Sequence, residues 1–122
     1  MKKILIVDDD EQVLQFIKIL LEANNYQVIT LKKGRDIGGV LEKNNIAMVI
    51  TDLFMPDYDG LELIRFIKKN YPNLTVIAMS DGFRSLNPDS ILVMAKVLGA
   101  TEAFKKPLPK NEFLESVKNN YN

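Results

Sequence analysis

The chain has 122 residues, of which 47% are hydrophobic and 26% are charged, and these values predict one globular domain over residues 1–122. Its 16 Lys and Arg residues balance 16 Asp and Glu residues, so the overall charge gives no sign of direct nucleic-acid binding or of a membrane partner. The chain contains no cysteine, which excludes disulfide bonds and thiolate metal sites.

The first predicted unit is a strand followed by a helix. Residues 4–7 form a continuous aliphatic run, as in a buried strand, but this run is too short for the core of a signal peptide. No apolar run approaches the roughly 20 residues of a membrane span, so we expect a cytoplasmic protein. Asp10 is predicted to cap the helix. The helix is marked by apolar residues at the three-and-four spacing, namely Val13, Phe16, Ile17, Leu20 and Leu21.

Four more units repeat this pattern along the chain. Their predicted strands are residues 26–31, 46–51, 74–79 and 102–105. The helix after the first of these is weak and interrupted by Gly38 and Gly39, and the other three helices are marked by apolar residues: Leu61, Ile64, Ile67 and Tyr71; Ile91, Met94, Ala95 and Leu98; Phe113, Leu114 and Val117. Helix starts are predicted at Asn87 with Pro88 and at Pro109, and a helix end at Gly99.

Alternating strands and helices define the expected fold class. Strands that are apolar on both faces predict a parallel sheet covered by helices on both sides and joined by right-handed crossovers. We therefore expect an α/β fold, a doubly wound (βα)5 domain whose five-stranded sheet has the order 2-1-3-4-5. In such a sheet the carboxyl ends of all strands lie along one edge, and ligands bind there where the strand order reverses.

Three aspartates are predicted to converge at this edge. Asp8 and Asp9 follow the first strand, and Asp52 follows the third, which neighbours the first in the expected order. Carboxylates this close repel one another unless protons or a cation neutralise them, and hard oxygen ligands suit Mg²⁺. Each aspartate taken alone is also consistent with a helix cap or a turn.

Two more strand ends add polar groups to the same edge. Ser80 closes the fourth predicted strand, and Lys106 closes the fifth. Either residue alone is typical of a surface turn. Together with three acids, however, a hydroxyl donor and an ammonium group are what a phosphoryl group requires, because its oxygens must be met by donors and cations.

Four segments of the sequence together resemble the receiver domain of bacterial response regulators. They are "ILIVDDD" at the start, "VITDLFMPDYDGLELI" in the middle, "VIAMS" after it and "LGATEAFKKPL" near the end. The resemblance extends over residues 2–121. It implies the flavodoxin-like receiver fold and a phosphorylation switch in a two-component pathway, driven by a phosphohistidine on a sensor kinase.

The resemblance also implies roles at the phosphorylation site. Asp52 is expected to be the phosphoacceptor, Ser80 the hydroxyl that follows the phosphoryl group, and Lys106 its ion-pair partner. The bond between Lys106 and Pro107 is expected to be cis, a conformation that is rare outside X-Pro bonds.

A metal site is implied in the same way. Asp9, Asp52 and the backbone carbonyl of Phe54 are the expected ligands of Mg²⁺, and Asp8 is expected to act through water. Expected partners are a sensor histidine kinase or a phosphotransfer protein and a downstream protein target, with no nucleic acid and no membrane.

Two positions depart from the receiver pattern. The residue after the switch hydroxyl is usually small, but here it is Asp81, which is expected to hinder or repel a phosphodonor. Ala103 stands where many receivers carry a Tyr or Phe that reports the switch, and strand alternation turns the adjacent Phe104 the opposite way. An aromatic read-out is therefore not expected.

Two other functions compete with a phosphorylated receiver. The first is a receiver-like interaction module that takes no phosphate, for which Asp81 is the best indication. The second is an enzyme, because "IVDDDEQV" also fits the Asp-x-Asp signature of haloacid-dehalogenase-like phosphatases, with Asp8 and Asp10 in the two roles. The chain is too short for that family's cap and later acidic motif, so an enzyme is not expected beyond self-phosphorylation and self-dephosphorylation.

Overall fold

Five strands alternate with five helices in the computed structural model, which describes residues 1–80 and 88–121. The predicted Asn87 cap and Asp81 lie outside these residues. The elements are β1 (Lys3–Val7), α1 (Glu11–Ala23), β2 (Val28–Leu31), a 3-10 turn (Gly34–Asp36), α2 (Ile37–Lys43), β3 (Ile46–Asp52), α3 (Gly60–Asn70), β4 (Thr75–Ser80), α4 (Pro88–Leu98), β5 (Glu102–Lys105) and α5 (Lys110–Asn120).

The strands form one parallel sheet in the order β2-β1-β3-β4-β5, which confirms the predicted fold class. Val7 is level with Thr51, and Asp52 is level with Met79. The carboxyl ends of β1, β3 and β4 therefore lie side by side, and the residues that follow them share one edge. No helix in the described part of the chain is both long and apolar enough to cross a bilayer.

The sheet divides the core into two layers because successive side chains of a strand point to opposite faces. On β1, Leu5 and Val7 pack with α2, α3 and α4, whereas Ile4 and Ile6 pack with α1 and α5. The same alternation separates Ala103 from Phe104 on β5, as predicted. The ring of Phe104 packs edge-on against Phe113 of α5, with ring centroids 5.9 Å apart.

Two residues of the apolar patterns that mark the helices are exposed. Phe16 is 55% exposed, and the buried residues of α1 are Leu14, Ile17 and Leu21. Met94 is likewise exposed on α4, beside the fully buried Ala95. In both helices the three-and-four spacing identified an apolar stripe wider than the surface that the sheet covers, so residues at its margin face solvent.

Several predicted boundaries also differ from the structure. Residues 26 and 27 precede β2, and Pro109 is the N-cap residue of α5, outside its first turn. The two glycines of α2 do not interrupt the helix, which runs from Ile37 to Lys43. Gly99 ends α4 at φ 124°, a backbone conformation that favours glycine, as predicted.

The two ends of the described chain meet at the amino-terminal edge of the sheet. The hydroxyl of Tyr121, which follows α5, donates a hydrogen bond of 2.6 Å to the carbonyl of Lys2, which precedes β1. The ring of Tyr121 also packs on that of Tyr26 at 5.0 Å. The last helix is thereby fixed to the first strand at the edge opposite the three aspartates.

Candidate functional site

Three carboxylates lie together at the carboxyl-terminal edge of the sheet. Asp8 and Asp9 follow β1, and Asp52 is the last residue of β3. One oxygen from each lies within 4.8 Å of the others. Asp8 is fully buried and Asp52 is 5% exposed, whereas Asp9 is exposed. The adjacent positions of β1 and β3 produce this cluster.

One ammonium group is paired with two of these carboxylates. The Nζ of Lys106, which follows β5, donates a hydrogen bond of 2.9 Å to Oδ2 of Asp8 and lies 3.2 Å from Oδ1 of Asp52. The backbone N–H of Lys106 donates to the carbonyl of Ser80 at 2.9 Å. The bond from Lys106 to Pro107 is cis. Lys106 is thus held at the end of β4 and directed at the acids.

The pKa values of Asp8 and Lys106 reflect both burial and pairing. Burial raises the pKa of Asp8, against the opposing effects of the Asp10 backbone N–H and of Lys106. Burial alone would lower the pKa of Lys106, but the hydrogen bond to Asp8 and the charges of Asp52 and Asp8 raise it above its ordinary value. Lys106 therefore stays charged at neutral pH.

The beginning of α1 orients Asp8. Its Oδ1 accepts a hydrogen bond of 2.9 Å from the backbone N–H of Asp10, and Asp10 in turn accepts one of 2.9 Å from the N–H of Gln12. Asp10 is thus the helix cap that the sequence predicted. Because Oδ2 of Asp8 accepts from Lys106, both oxygens of Asp8 have protein donors.

The segment after Asp52 is folded back tightly. Phe54 forms an isolated antiparallel bridge with Asp59, whose carboxylate caps α3 by accepting from the N–H of Leu61 at 2.8 Å. Gly60 donates its N–H to the carbonyl of Leu53 at 3.2 Å. The half-buried Phe54 is therefore held two residues beyond Asp52, where its carbonyl was predicted to bind metal.

Ser80 and Thr51 complete the polar surroundings of Asp52. Ser80 is fully buried and ends β4, one residue beyond the Met79 that lies level with Asp52. Thr51, also fully buried, donates its hydroxyl to the carbonyl of Asp52 at 2.9 Å. Sequence reasoning missed Thr51, because a threonine inside a strand is ordinary and only the folded backbone places its hydroxyl near that carbonyl.

The chemistry of the cluster fits a divalent cation. Three carboxylates and one ammonium group have a formal net charge of −2, which one divalent cation would neutralise. The side-chain atoms that the three acids offer to a metal are all hard oxygens, and Mg²⁺ prefers such ligands. Asp9 is the exposed member and is accessible to a hydrated ion.

Comparison with known proteins places this arrangement in a family. The profile of the response regulator receiver domain matches residues 4–118. The response regulator GtcR of Aneurinibacillus migulanus is 31% identical over 106 residues, which cover 87% of this chain and 42% of GtcR. The CAI-1 autoinducer sensor kinase/phosphatase CqsS of Vibrio cholerae is 30% identical over 119 residues, which cover 95% of this chain and 17% of CqsS. The chain thus spans less than half the length of these relatives.

A solved structure agrees with the sequence comparison. The crystal structure of a response regulator receiver domain protein from Clostridium thermocellum matches with a TM-score of 0.87 and 32% identity, and the match covers 98% of this chain and 94% of that one. The family is a signalling module of two-component systems. From its sequence, its sheet order and its acidic edge, this chain belongs to the response regulator receiver domain family.

Proposed function

We propose that this chain is a phosphoacceptor switch of a two-component pathway. Asp52 accepts a phosphoryl group from a sensor histidine kinase or a phosphotransfer protein, in a reaction that depends on Mg²⁺. The position of Asp52 carries the proposal: Nζ of Lys106 lies 3.2 Å from its carboxylate, and two further carboxylates lie within 4.8 Å. A carboxylate in this setting is a nucleophile for phosphorus.

Each neighbour of Asp52 has a part in this proposal. Lys106 meets negative charge on the phosphoryl group, and Ser80 offers a hydroxyl donor from the end of β4. Asp9, Asp52 and the carbonyl of Phe54 would hold Mg²⁺. When bound there, Mg²⁺ adds positive charge beside the transferring phosphoryl oxygens.

Asp8 would act on the metal through water. Its two oxygens accept hydrogen bonds of 2.9 Å from Asp10 and from Lys106, and Asp8 is fully buried, whereas Asp9 is exposed. A lone pair left on an Asp8 oxygen would accept a hydrogen bond from a water molecule of the hydrated ion. Burial and hydrogen bonding support an indirect role for Asp8, and exposure supports a direct role for Asp9.

The output of the switch follows from the added charge. An aspartyl phosphate adds roughly one to two negative charges, which draw the Ser80 hydroxyl and Lys106 towards the phosphoryl oxygens. Both residues lie beside the surface formed by α4 and β5, so this surface would contact a downstream protein in the cytoplasm. Ala103 offers no aromatic ring to report the change, so backbone and helix positions would carry it.

The two alternative functions lack comparable support. Asp10 caps α1 through its carboxylate, which leaves it unsuited to the second role of a phosphatase, and the family is a signalling module. An interaction module without phosphate would not need a half-buried lysine whose ammonium group lies 3.2 Å from the carboxylate of Asp52. Asp81, the main reason for that alternative, lies outside the described residues.

Direct phosphorylation tests the proposal. Incubation with acetyl phosphate and Mg²⁺ is expected to add one phosphoryl group to the native chain, detected by intact mass, and none to Asp52→Asn. Asp36→Asn is the matched control, because this exposed aspartate near the same edge makes no side-chain cap bond and should leave labelling unchanged. Undiminished label on Asp52→Asn would move the acceptor elsewhere, and an unlabelled native chain would favour the interaction module.

Metal binding gives a second, independent prediction. Mg²⁺ should raise the melting temperature of the native chain, because a ligand that binds only the folded state shifts unfolding by mass action. Asp9→Asn should melt higher than the native chain without metal, since one of three repelling charges is gone, and should lose most of the response to Mg²⁺. A thermal melt over a Mg²⁺ series measures both effects. An equal response in Asp9→Asn would exclude Asp9 as a ligand.

A further inference from the structure

A cluster of basic residues flanks the acidic site. The basic loop, defined as Lys32, Lys33, Gly34 and Arg35, follows β2 at the carboxyl-terminal edge of the sheet. The carbonyl of Leu31, directly before this loop, accepts a hydrogen bond of 3.1 Å from the N–H of Asp8. The loop therefore begins next to the buried acid of the site.

Two further contacts hold the basic loop at the site. Nζ of Lys32 lies 3.3 Å from a carboxylate oxygen of Glu11, in the first turn of α1. Gly34 is buried against α3 and the segment after Asp52. A Cβ added to Gly34 would lie 3.0 Å from the side chain of Leu63 and 3.2 Å from that of Met55. The loop thus lies between the start of α1 and the segment that follows Asp52.

One of the three cations of the basic loop has an ion-pair partner, and the other two have none within the described residues. Lys32 is offset by Glu11. The side chains of Lys33 and Arg35 are exposed, and neither forms an ion pair within the described residues. Two unpaired cations therefore belong to the loop that begins next to Asp8, and the three carboxylates with Lys106 have a formal net charge of −2.

We propose that Lys33 and Arg35 are specificity determinants that attract small anionic phosphodonors to Asp52. The acidic cluster repels such a donor, and the two cations offset this repulsion over the last several ångströms of approach, raising the local donor concentration. The effect grows with donor charge, so a dianionic acyl phosphate gains more than a monoanionic donor. This inference rests on the proposed phosphorylation of Asp52.

The charges of Lys33 and Arg35 should have the opposite effect on Mg²⁺, because they repel a cation. Removing Lys33 and Arg35 takes two cations away from the site, so the divalent metal should bind more tightly while the anionic donor reacts more slowly. A merely structural disturbance of the site would weaken both. The two signs together therefore separate an electrostatic role from local misfolding.

The test compares two double variants with the native chain. Lys33→Gln/Arg35→Gln removes the cations beside the site. Lys69→Gln/Lys118→Gln removes the same charge from exposed residues near the carboxyl ends of α3 and α5, at the far edge of the sheet. Each protein is phosphorylated with acetyl phosphate, a dianion at neutral pH, and with phosphoramidate, a monoanion, and its Mg²⁺ affinity is measured by titration.

At an ionic strength of about 0.01 M, Lys33→Gln/Arg35→Gln should react with acetyl phosphate about threefold to tenfold more slowly than the native chain. Its rate of reaction with phosphoramidate should fall by a smaller factor. Its Mg²⁺ dissociation constant should fall about twofold to threefold, and the rate difference should vanish at an ionic strength of about 0.5 M. The control variant should change much less than the loop variant, because its charges are removed from the opposite edge of the sheet. Equal rates for the loop variant and the native chain would overturn this inference but not the proposed function. Weaker Mg²⁺ binding by the loop variant would do the same. A native chain that takes no label would overturn the proposed function as well.

Discussion

Replacing Gly60 with alanine should lower the free energy of unfolding by about 3 kcal/mol and slow the proposed phosphorylation of Asp52. A Cβ at this position would lie 2.5 Å from Cα of Leu53, 2.6 Å from its carbonyl oxygen and 2.8 Å from the carbonyl oxygen of Asp52. These are backbone atoms, so no side-chain rotation relieves the contact. The segment after Asp52 must move, and Asp52 moves with it.

Gly39→Ala is the matched control for this change. Gly39 lies within α2, and an added Cβ would meet nothing within 4 Å. Because alanine is favoured over glycine in a helix, this variant should gain up to about 1 kcal/mol. Chemical denaturation of both variants measures the difference, and a Gly60→Ala protein as stable as the native chain would show that the segment after Asp52 yields easily.

Lys106→Met should destabilise the fold by about 2 kcal/mol at neutral pH, because it leaves the buried Asp8 and Asp52 without their cation. The side chain of Lys106 is 17% exposed, so water entering its place limits the loss. Mg²⁺ should restore part of this stability by supplying positive charge to the same carboxylates. Urea denaturation with and without the metal measures both effects.

The loss should shrink as the pH falls. Burial already raises the pKa of Asp8 in the native fold, and removal of the ammonium group raises it further. A carboxyl group whose pKa is higher in the folded than in the unfolded state favours folding when protonated, and this contribution is lost as the pH rises through the folded pKa. The difference between Lys106→Met and the native chain should therefore be largest near neutrality and smallest in acid.

Lys105→Met is the control for Lys106→Met. Lys105 is the preceding residue, but its ammonium group pairs with Asp89 at 2.7 Å on the outer surface, where the two side chains are 56% and 69% exposed. An exposed pair of this kind contributes at most about 1 kcal/mol. If the two methionine variants were equally stable at every pH, the pairing of Lys106 with the buried acids would have no net effect on stability.

The sequence predicted the sheet because its strand signals are local. Residues 4–7 and 46–50 are apolar on both faces, which is typical of strands in a sheet that is covered on both sides. The order of the strands then placed Asp8, Asp9 and Asp52 at one edge. The short apolar runs thus predict the strands of the fold, and the polar residues directly after them predict most of the candidate site.

The remaining features depend on contacts between elements that a single sequence does not encode locally. The rotation of α1 decides that Leu14 is buried and Phe16 is exposed, and periodicity alone cannot fix that rotation. The close approach of Gly60 to Leu53 follows from the path of a loop. The path of the basic loop after Leu31 depends likewise on the packing of Gly34 against its neighbours.

The hydrogen bond from Tyr121 to the carbonyl of Lys2 brings the two ends of the fold to within one side chain of each other. A domain with adjacent ends can be grafted into a surface turn of a host protein without stretching the host backbone. It can also be circularly permuted by joining those ends with a short bridge and opening the chain at another exposed turn. The fold is therefore suited to domain insertion and to circular permutation. The joined ends lie at the amino-terminal edge of the sheet, opposite the acidic edge.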